Sequence, residues 1–261
     1  MKLEKYHGLG NSFLITNYQH GIDYPKLAKL VCNKDISIGS DGLIVVKNSP
    51  LEMLIFNRDG SEAIMCGNGL RCFIHYCFNN GLLINQNASI EVRTKSGVYL
   101  NNINSFEPFV TTTVFRRSLI RKEVIGLCDE LYDSFYVRVG VKHNVIVIDE
   151  NNKISIDKFK DNIVKQVGFC EETNVDLVKK IDDKTISVLT YERGVGFTSS
   201  CGTGSIASAL VVNYLYSCSN DIDVISDYGT LKVKIGGNKV YMTGPSSKIA
   251  DIEVLLWLEE A

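Results

Sequence analysis

The sequence predicts a mixed α/β (α+β) fold made of two domains of similar build, and three observations carry that prediction. Short runs rich in Val, Ile, Tyr and Thr, bounded by Gly, Asn or Asp, alternate with a few helical segments. Two of those helical segments are apolar almost all round, as expected of helices buried against a sheet. Each of the two follows a Cys-Gly-x-Gly turn, Cys66-Gly67-Asn68-Gly69 and Cys201-Gly202-Thr203-Gly204. A repeat of this kind implies pseudo-twofold symmetry, with equivalent parts facing across a cleft.

The strands read as Phe13–Thr16, Leu43–Lys47, Met53–Asn57, Ile90–Thr94, Tyr136–Val139, Asn144–Asp149, Thr185–Tyr191 and Leu231–Ile235. The helices read as Tyr24–Cys32, Gly69–Asn79, Ile156–Val167 and Gly204–Ser217. In each half a strand ends in an aromatic, a polar residue and an arginine, Phe56-Asn57-Arg58 and Tyr191-Glu192-Arg193. The cysteine follows ten positions after that aromatic, and the helix is followed by two strands joined at a glycine, Gly97 or Gly229. Gly10-Asn11-Ser12-Phe13 has a weaker echo in Gly140-Val141-Lys142-His143. The expected division is residues 1–115 and 116–250, with a tail over 251–261.

At 261 residues the chain can bury a substantial core. A net charge of −2 without a basic block argues against a nucleic-acid partner. No apolar run approaches a membrane span, and the opening residues do not resemble a signal peptide, so the expected location is the cytoplasm. In that reducing compartment the eight cysteines are not a disulfide framework, and none forms a CxxC pair, so no metal site is expected. Most of them read as small buried hydrophobes. No Walker-type loop or lysine context suggests a bound cofactor, and none is expected.

Taken alone, one Cys-Gly-x-Gly is more simply a structural turn. His143, Arg193, Asn11, Asn57 and Asn174 taken singly also have bland readings as structural or turn residues. The mirrored pair changes the weighing. Glycines at a helix start allow a ligand to approach the free N–H groups, which attract a carboxylate. The same field favours the thiolate of an adjacent cysteine. Two copies supply what inversion of a stereocentre needs, a base on one face of a planar carbanion and an acid on the other. Fixed donors at the developing enediolate are worth roughly 3–4 kcal/mol each by comparison with oxyanion holes.

The chain resembles the diaminopimelate epimerase family nearly end to end. The resemblance rests on Lys5-Tyr6-His7-Gly8-Leu9-Gly10-Asn11-Ser12-Phe13, on Phe56 to Ala63 with Cys66 to Cys72, on Glu192 to Gly196 with Cys201 to Gly204, and on Tyr241 to Pro245. It implies two domains, each a curled, mostly antiparallel sheet around a central helix, with the active site in the cleft and the stretch after Asp251 returning to the first domain. It implies Cys66 and Cys201 as the acid/base pair, Glu192 at the reacting amino group and His143 beside the thiols. Gly67, Asn68, Gly202 and Thr203 would hold the reacting carboxylate. Asn11, Asn57, Asn174 and Arg193 would hold the far end of the substrate. A homodimer is consistent with the resemblance.

The expected activity is pyridoxal-phosphate-independent conversion of LL- to meso-diaminopimelate, in lysine and cell-wall synthesis. The alternative is a racemase of the same family acting on histidine, lysine or a similar amino acid. A proline-racemase-like enzyme, a thiol redox protein and a non-catalytic binding protein rank lower. The alternative rests on Val141, which stands where the family usually has an asparagine ligand of the far carboxylate. Losing one such bond costs roughly 1.5–3 kcal/mol, about one to two orders of magnitude in affinity. Lys142 could supply a replacement contact. Ser12 for Asp and Gly42 for the Gln of some members are milder departures.

Overall fold

The computed structural model describes residues 1–83, 89–127, 130–149, 153–165, 173–193, 196–198 and 200–254. The chain divides into two compact units, Met1–Thr111 with Pro245–Ala261, and Thr112–Gly244.

In the first unit, β1 (Lys2–Gly8) pairs antiparallel with β2 (Asn11–Asn17) and with β18 (Ser247–Glu253). The chain crosses through α1 (Tyr24–Val31) so that β3 (Gly42–Asn48) runs parallel to β2. β4 (Leu51–Asn57) returns antiparallel to β3, and the short β5 (Glu62–Ala63) folds back on it. Then α2 (Gly67–Asn79) leads to β6 (Ile90–Thr94), parallel to β4 and antiparallel to β7 (Gly97–Phe106). β8 (Phe109–Arg116) carries the chain onward.

The second unit repeats these steps. β10 (Glu130–Val139) pairs with β9 (Ile120–Leu127) and β11 (Val141–Val147). Past α3 (Ile156–Lys165), β12 (Asn174–Lys180) runs parallel to β11. β13 (Thr185–Glu192) returns antiparallel, β14 (Gly196–Thr198) folds back on it, and α4 (Gly202–Tyr216) follows. β15 (Asp221–Ser226) is parallel to β13 and antiparallel to β16 (Gly229–Gly236), which pairs with β17 (Lys239–Pro245). The two glycines expected between paired strands take the same left-handed backbone, Gly97 at φ 139° and Gly229 at φ 134°. That conformation is open to glycine and closed to most residues.

Each sheet is covered on both faces, which explains its continuous apolar runs. Along β3, Leu43 and Val45 join Leu27, Ala28 and Val31 of α1. The intervening Ile44 faces the α2 side, where its Cδ1 lies 3.3 Å from the space a Gly69 side chain would fill. In the second unit Ile146, Val175 and Leu177 pack with Phe159 and Ile163 of α3. Their alternates, Val145 and Asp176, are buried too and belong to the opposite face. α4 is buried from Gly202 through Val212, which accounts for its lack of a polar stripe.

All eight expected strands and four expected helices are present, with shifted ends. α2 and α4 begin two residues earlier than expected, because the cysteines themselves cap them. β1, β5, β8, β9, β12, β14, β17 and β18 escaped the sequence reading; charged residues interrupt β1, and Asn174 and Asp176 interrupt β12. The return to the first unit begins at β18, earlier than the expected tail at 251, and residues 255–261 lie outside the described residues. So do Cys128, Cys170, Gly194, Val195 and the last two residues of the expected helix to Val167.

Candidate active site

The site residues form one half-site in each unit, built on the same local device. Cys66 and Cys201 are the N-cap residues of α2 and α4, with extended backbones at φ −146° and −112°. Each Sγ accepts the N–H of the residue three positions on, Gly69 at 3.3 Å and Gly204 at 3.4 Å. This is the role a Ser or Asp oxygen usually fills. The other first-turn N–H groups, on Gly67, Asn68, Gly202 and Thr203, stand ahead of the helix's own hydrogen-bond ladder, in the position that suits an anion.

The second glycine of each turn has a packing reason. A side chain at Gly204 would overlap the Asp176 carboxylate and come within 2.9 Å of Thr190 Oγ1. At Gly69 it would meet Cys66 Cβ and Ile44 Cδ1 at 3.3 Å. Ligand approach, the expected reason for these glycines, is therefore not the only one.

In the first half-site Asn11 is the hub. Its Oδ1 lies 3.8 Å from Cys66 Sγ and accepts from Asn68 Nδ2 at 3.3 Å. Its Nδ2 donates to Asp41 Oδ2 at 3.3 Å, and the Ser12 N–H donates to the same oxygen at 2.8 Å. Asp41 thus fixes which end of the Asn11 amide faces the thiol. The turn before it places Leu9 at φ 53°, a strained conformation for a branched side chain. Beneath the helix start lies Arg71, wholly buried, donating to Asn68 Oδ1 at 2.8 Å, Pro245 O at 3.1 Å and Gly67 O at 3.4 Å. Burial pulls its pKa down, and the neighbouring Cys72 and Cys66 thiols oppose that shift. A buried cation therefore stands behind Cys66. Gly8 makes room for it, since a side chain there would meet Arg71 Nη2 at 3.0 Å.

The second half-site is acidic. Cys201 is 7% exposed, and its thiol is pushed well above the usual range by burial, then by the Glu192 and Asp176 carboxylates. The helix start opposes the shift and is outweighed. Burial also raises the carboxyl of Glu192, which accepts from Thr198 Oγ1 at 2.6 Å and hydrogen-bonds Cys201. His143 is wholly buried, with Nδ1 2.6 Å from Asp176 Oδ2 and Nε2 2.9 Å from Thr203 Oγ1. Thr203 Oγ1 in turn lies 3.5 Å from Cys201 Sγ. Asp176 Oδ1 accepts from Thr190 Oγ1 at 2.6 Å.

The structure thus joins Cys66, Asn68 and Asn11 in one unit, and Cys201, Thr203, His143 and Glu192 in the other. Asn57 is tied to its own loop, donating from Nδ2 to Ser61 Oγ at 3.0 Å. Asn174 Oδ1 accepts the Arg193 N–H at 2.8 Å, leaving the Arg193 side chain exposed. Val141 shares a strand face with His143, whereas Lys142 points to the other side and is exposed. Lys142 is therefore not placed to do the work of an asparagine at position 141.

Asp176, Arg71, Asp41 and Thr190 were missed by sequence reasoning. Asp176 did leave a signal, as a lone acid inside Asn174–Val178, a run that is buried throughout. Cys32, Cys72, Cys77 and Cys218 are buried, and burial raises the thiols of Cys32 and Cys72 to about 12. Among the described residues no three or more His, Cys, Asp or Glu side chains gather in a metal-holding group.

The profile of the family described as diaminopimelate epimerase matches residues 3–113 and 135–249, spanning both half-sites. The chain belongs to that family. It is 35% identical to the diaminopimelate epimerase of Caldanaerobacter subterraneus subsp. tengcongensis, over 97% of this chain and all of that one. It is 33% identical to the Clostridium perfringens diaminopimelate epimerase, over 96% of this chain and 98% of the relative. Family membership makes the protein an isomerase of the amino-acid epimerase type. Among solved structures, a probable proline racemase from Agrobacterium radiobacter K84 superposes with a TM-score of 0.73 at 12% identity, covering 98% of this chain and 93% of that one. A Bacillus anthracis phenazine biosynthesis protein of the PhzF family gives 0.69 at 16%, covering 98% and 99%. At these identities the likeness is one of fold. Among the described residues no helix is long and apolar enough to cross a membrane.

Proposed function

We propose that this enzyme interconverts LL- and meso-diaminopimelate by two-base proton transfer between Cys66 and Cys201, in the cytoplasm and without a cofactor. The observation that carries this reading is the pair of cysteine-capped helix starts, each presenting a thiol beside the N–H groups of its first turn. The N–H groups bind the reacting carboxylate and stabilise the enediolate as the α-proton leaves. Burial and two carboxylates favour the protonated form of Cys201, which makes it the acid of the resting pair and Cys66 the base. In the reverse direction the roles exchange. Glu192, beside Cys201, holds the reacting ammonium group. The exposed Arg193 guanidinium pairs with the far carboxylate in a charge-assisted contact, supported by Asn11, Asn57 and Asn174.

One observation favours a second reading, a racemase for another amino acid. Val141 puts an apolar side chain on the His143 face, and the exposed Lys142 does not compensate. Rates of α-proton exchange in D₂O, under reductant, across LL-diaminopimelate, histidine and lysine separate the two. The first reading requires diaminopimelate to lead by a wide margin; a faster rate with histidine or lysine transfers the assignment to the second. In either case Cys66→Ser and Cys201→Ser lower turnover strongly while substrate binding stays measurable. Undiminished turnover in either variant contradicts the two-base scheme.

A further inference from the structure

Asp176 is a wholly buried carboxylate that has entered so far only as a repelling charge near Cys201, yet it anchors a continuous line of hydrogen bonds that ends at a reacting sulfur. We propose that Asp176 is a positioning residue for Cys201, holding His143 with its proton on Nδ1 and making Cys201, Thr203, His143 and Asp176 a closed relay in which one proton moves between sulfur and imidazole. The inference deepens the epimerase reading and rests on it for its purpose.

The geometry fixes the direction of each bond. An ionised carboxylate only accepts. Asp176 Oδ1 takes the Thr190 hydroxyl at 2.6 Å, and Oδ2 takes the ring N–H at 2.6 Å, so the proton of a neutral His143 sits on Nδ1. Nε2 is then an acceptor, and the only proton available between it and Thr203, 2.9 Å away, is that of the hydroxyl. With its proton so committed, Thr203 Oγ1 can only accept from Cys201 Sγ, 3.5 Å away, and it shares that one S–H with the Glu192 carboxylate. All four side chains are buried, at 0% exposure for His143 and Asp176, 4% for Thr203 and 7% for Cys201. The glycine of the turn keeps the line intact, because any side chain at Gly204 would occupy the place of the Asp176 carboxylate.

The step balances without an outside partner. The S–H proton passes to Thr203 as the Thr203 proton passes to Nε2, leaving a thiolate and an imidazolium held by Asp176. A thiolate beside bare carboxylates is opposed by them, as the raised thiol shows. Beside an imidazolium–carboxylate pair the opposition from Asp176 is cancelled, and a buried imidazolium needs that counter-charge. Among the described residues Glu192 is the other acid beside Cys201, and it faces the thiol in both states. A two-base enzyme needs Cys201 as acid in one direction and base in the other, and the relay lets Cys201 reach the thiolate form while its proton stays in the buried line.

The test is the rate of iodoacetamide alkylation at Cys201, read by peptide mass mapping on the full chain without substrate at pH 8. Asp176→Asn keeps the shape and removes the counter-charge. It is expected to slow alkylation about tenfold or more, the effect of one pKa unit on the thiolate fraction. Thr203→Val breaks the line between His143 and Cys201 and is expected to slow it similarly, whereas Thr203→Ser restores a rate near that of the parent. An unchanged or faster rate in Asp176→Asn overturns the proposal, since Asp176 would then act on the thiol only as a repelling charge. If Asp176→Asn does not fold, equal rates for Thr203→Val and Thr203→Ser overturn it instead. Failure of the epimerase reading would be seen separately, as absence of α-proton exchange with intact Cys201 kinetics.

Discussion

Cys66 and Cys201 sit in the same turn, cap the same kind of helix and accept the same backbone N–H, yet their buried surroundings carry opposite charge. Behind Cys66 lies the Arg71 guanidinium; behind Cys201 lie Asp176, paired with His143, and Glu192. Five residues after the cysteine, one helix has buried Arg71 and the other buried Ile206. The fold therefore repeats its scaffold and differs where charge decides protonation. A symmetric scaffold suits the reversible two-base reaction proposed above, and the asymmetric charges favour the protonated form at Cys201.

That contrast can be broken at its charged positions first. Arg71→Met removes the guanidinium bonds to Pro245 O, Gly67 O and Asn68 Oδ1 and should cost roughly 3–5 kcal/mol of stability. Ile206→Met, the matching change in the other helix, should cost about 1 kcal/mol. Urea denaturation of the two variants measures the difference, and equal losses would remove the special role given to the cation.

The glycines come next. Gly204→Ala drives a methyl into Asp176 and should cost about 3 kcal/mol, whereas Gly69→Ala meets only apolar neighbours at 3.3 Å and should cost about 1 kcal/mol. Thermal unfolding ranks the two, and a larger loss at Gly69 would contradict the packing argument.

A smaller effect separates the thiols themselves. Cys66 is partly exposed and Cys201 is buried with a raised thiol, so iodoacetamide at pH 7.5 should modify Cys66 about tenfold faster or more. Preferential loss of Cys201 would reverse the assignment of acid and base.

The smallest effect belongs to the far end of the first helix. His75 stacks on Phe109 with centroids 3.9 Å apart, and burial lowers its pKa to about 4 from 6.5. Between those values the unfolded chain binds the proton and the folded one does not, so stability is full above pH 6.5 and falls toward pH 4. In the second helix the matching residue is the buried Leu210, which has no charge to gain. His75→Leu should flatten the pH dependence of the urea midpoint over that window, and an unchanged slope would place it elsewhere.

The repeat, the cysteine turns and most strands were legible because each depends on local order: apolar runs, a ten-residue spacing, a glycine between paired strands. The charged partners were less legible. His143 and Asp176 are 33 residues apart and meet only because β11 and β12 pair in parallel, while Thr190 reaches Asp176 from β13. Arg71 looked like one polar residue in an apolar helix, and its place under the helix start depends on Pro245, 174 positions away. The raised thiol at Cys201 was illegible for the same reason, since the helix start is visible in the sequence and the carboxylates around it are not.

The most direct test of the two-cysteine account is the position of deuterium after brief turnover of LL-diaminopimelate in D₂O under reductant. With separate acid and base, the inverted product carries solvent deuterium at its α-carbon while recovered starting material remains unlabelled. An inverted product that retains its original proton would contradict the account, because one group would then both remove and return it.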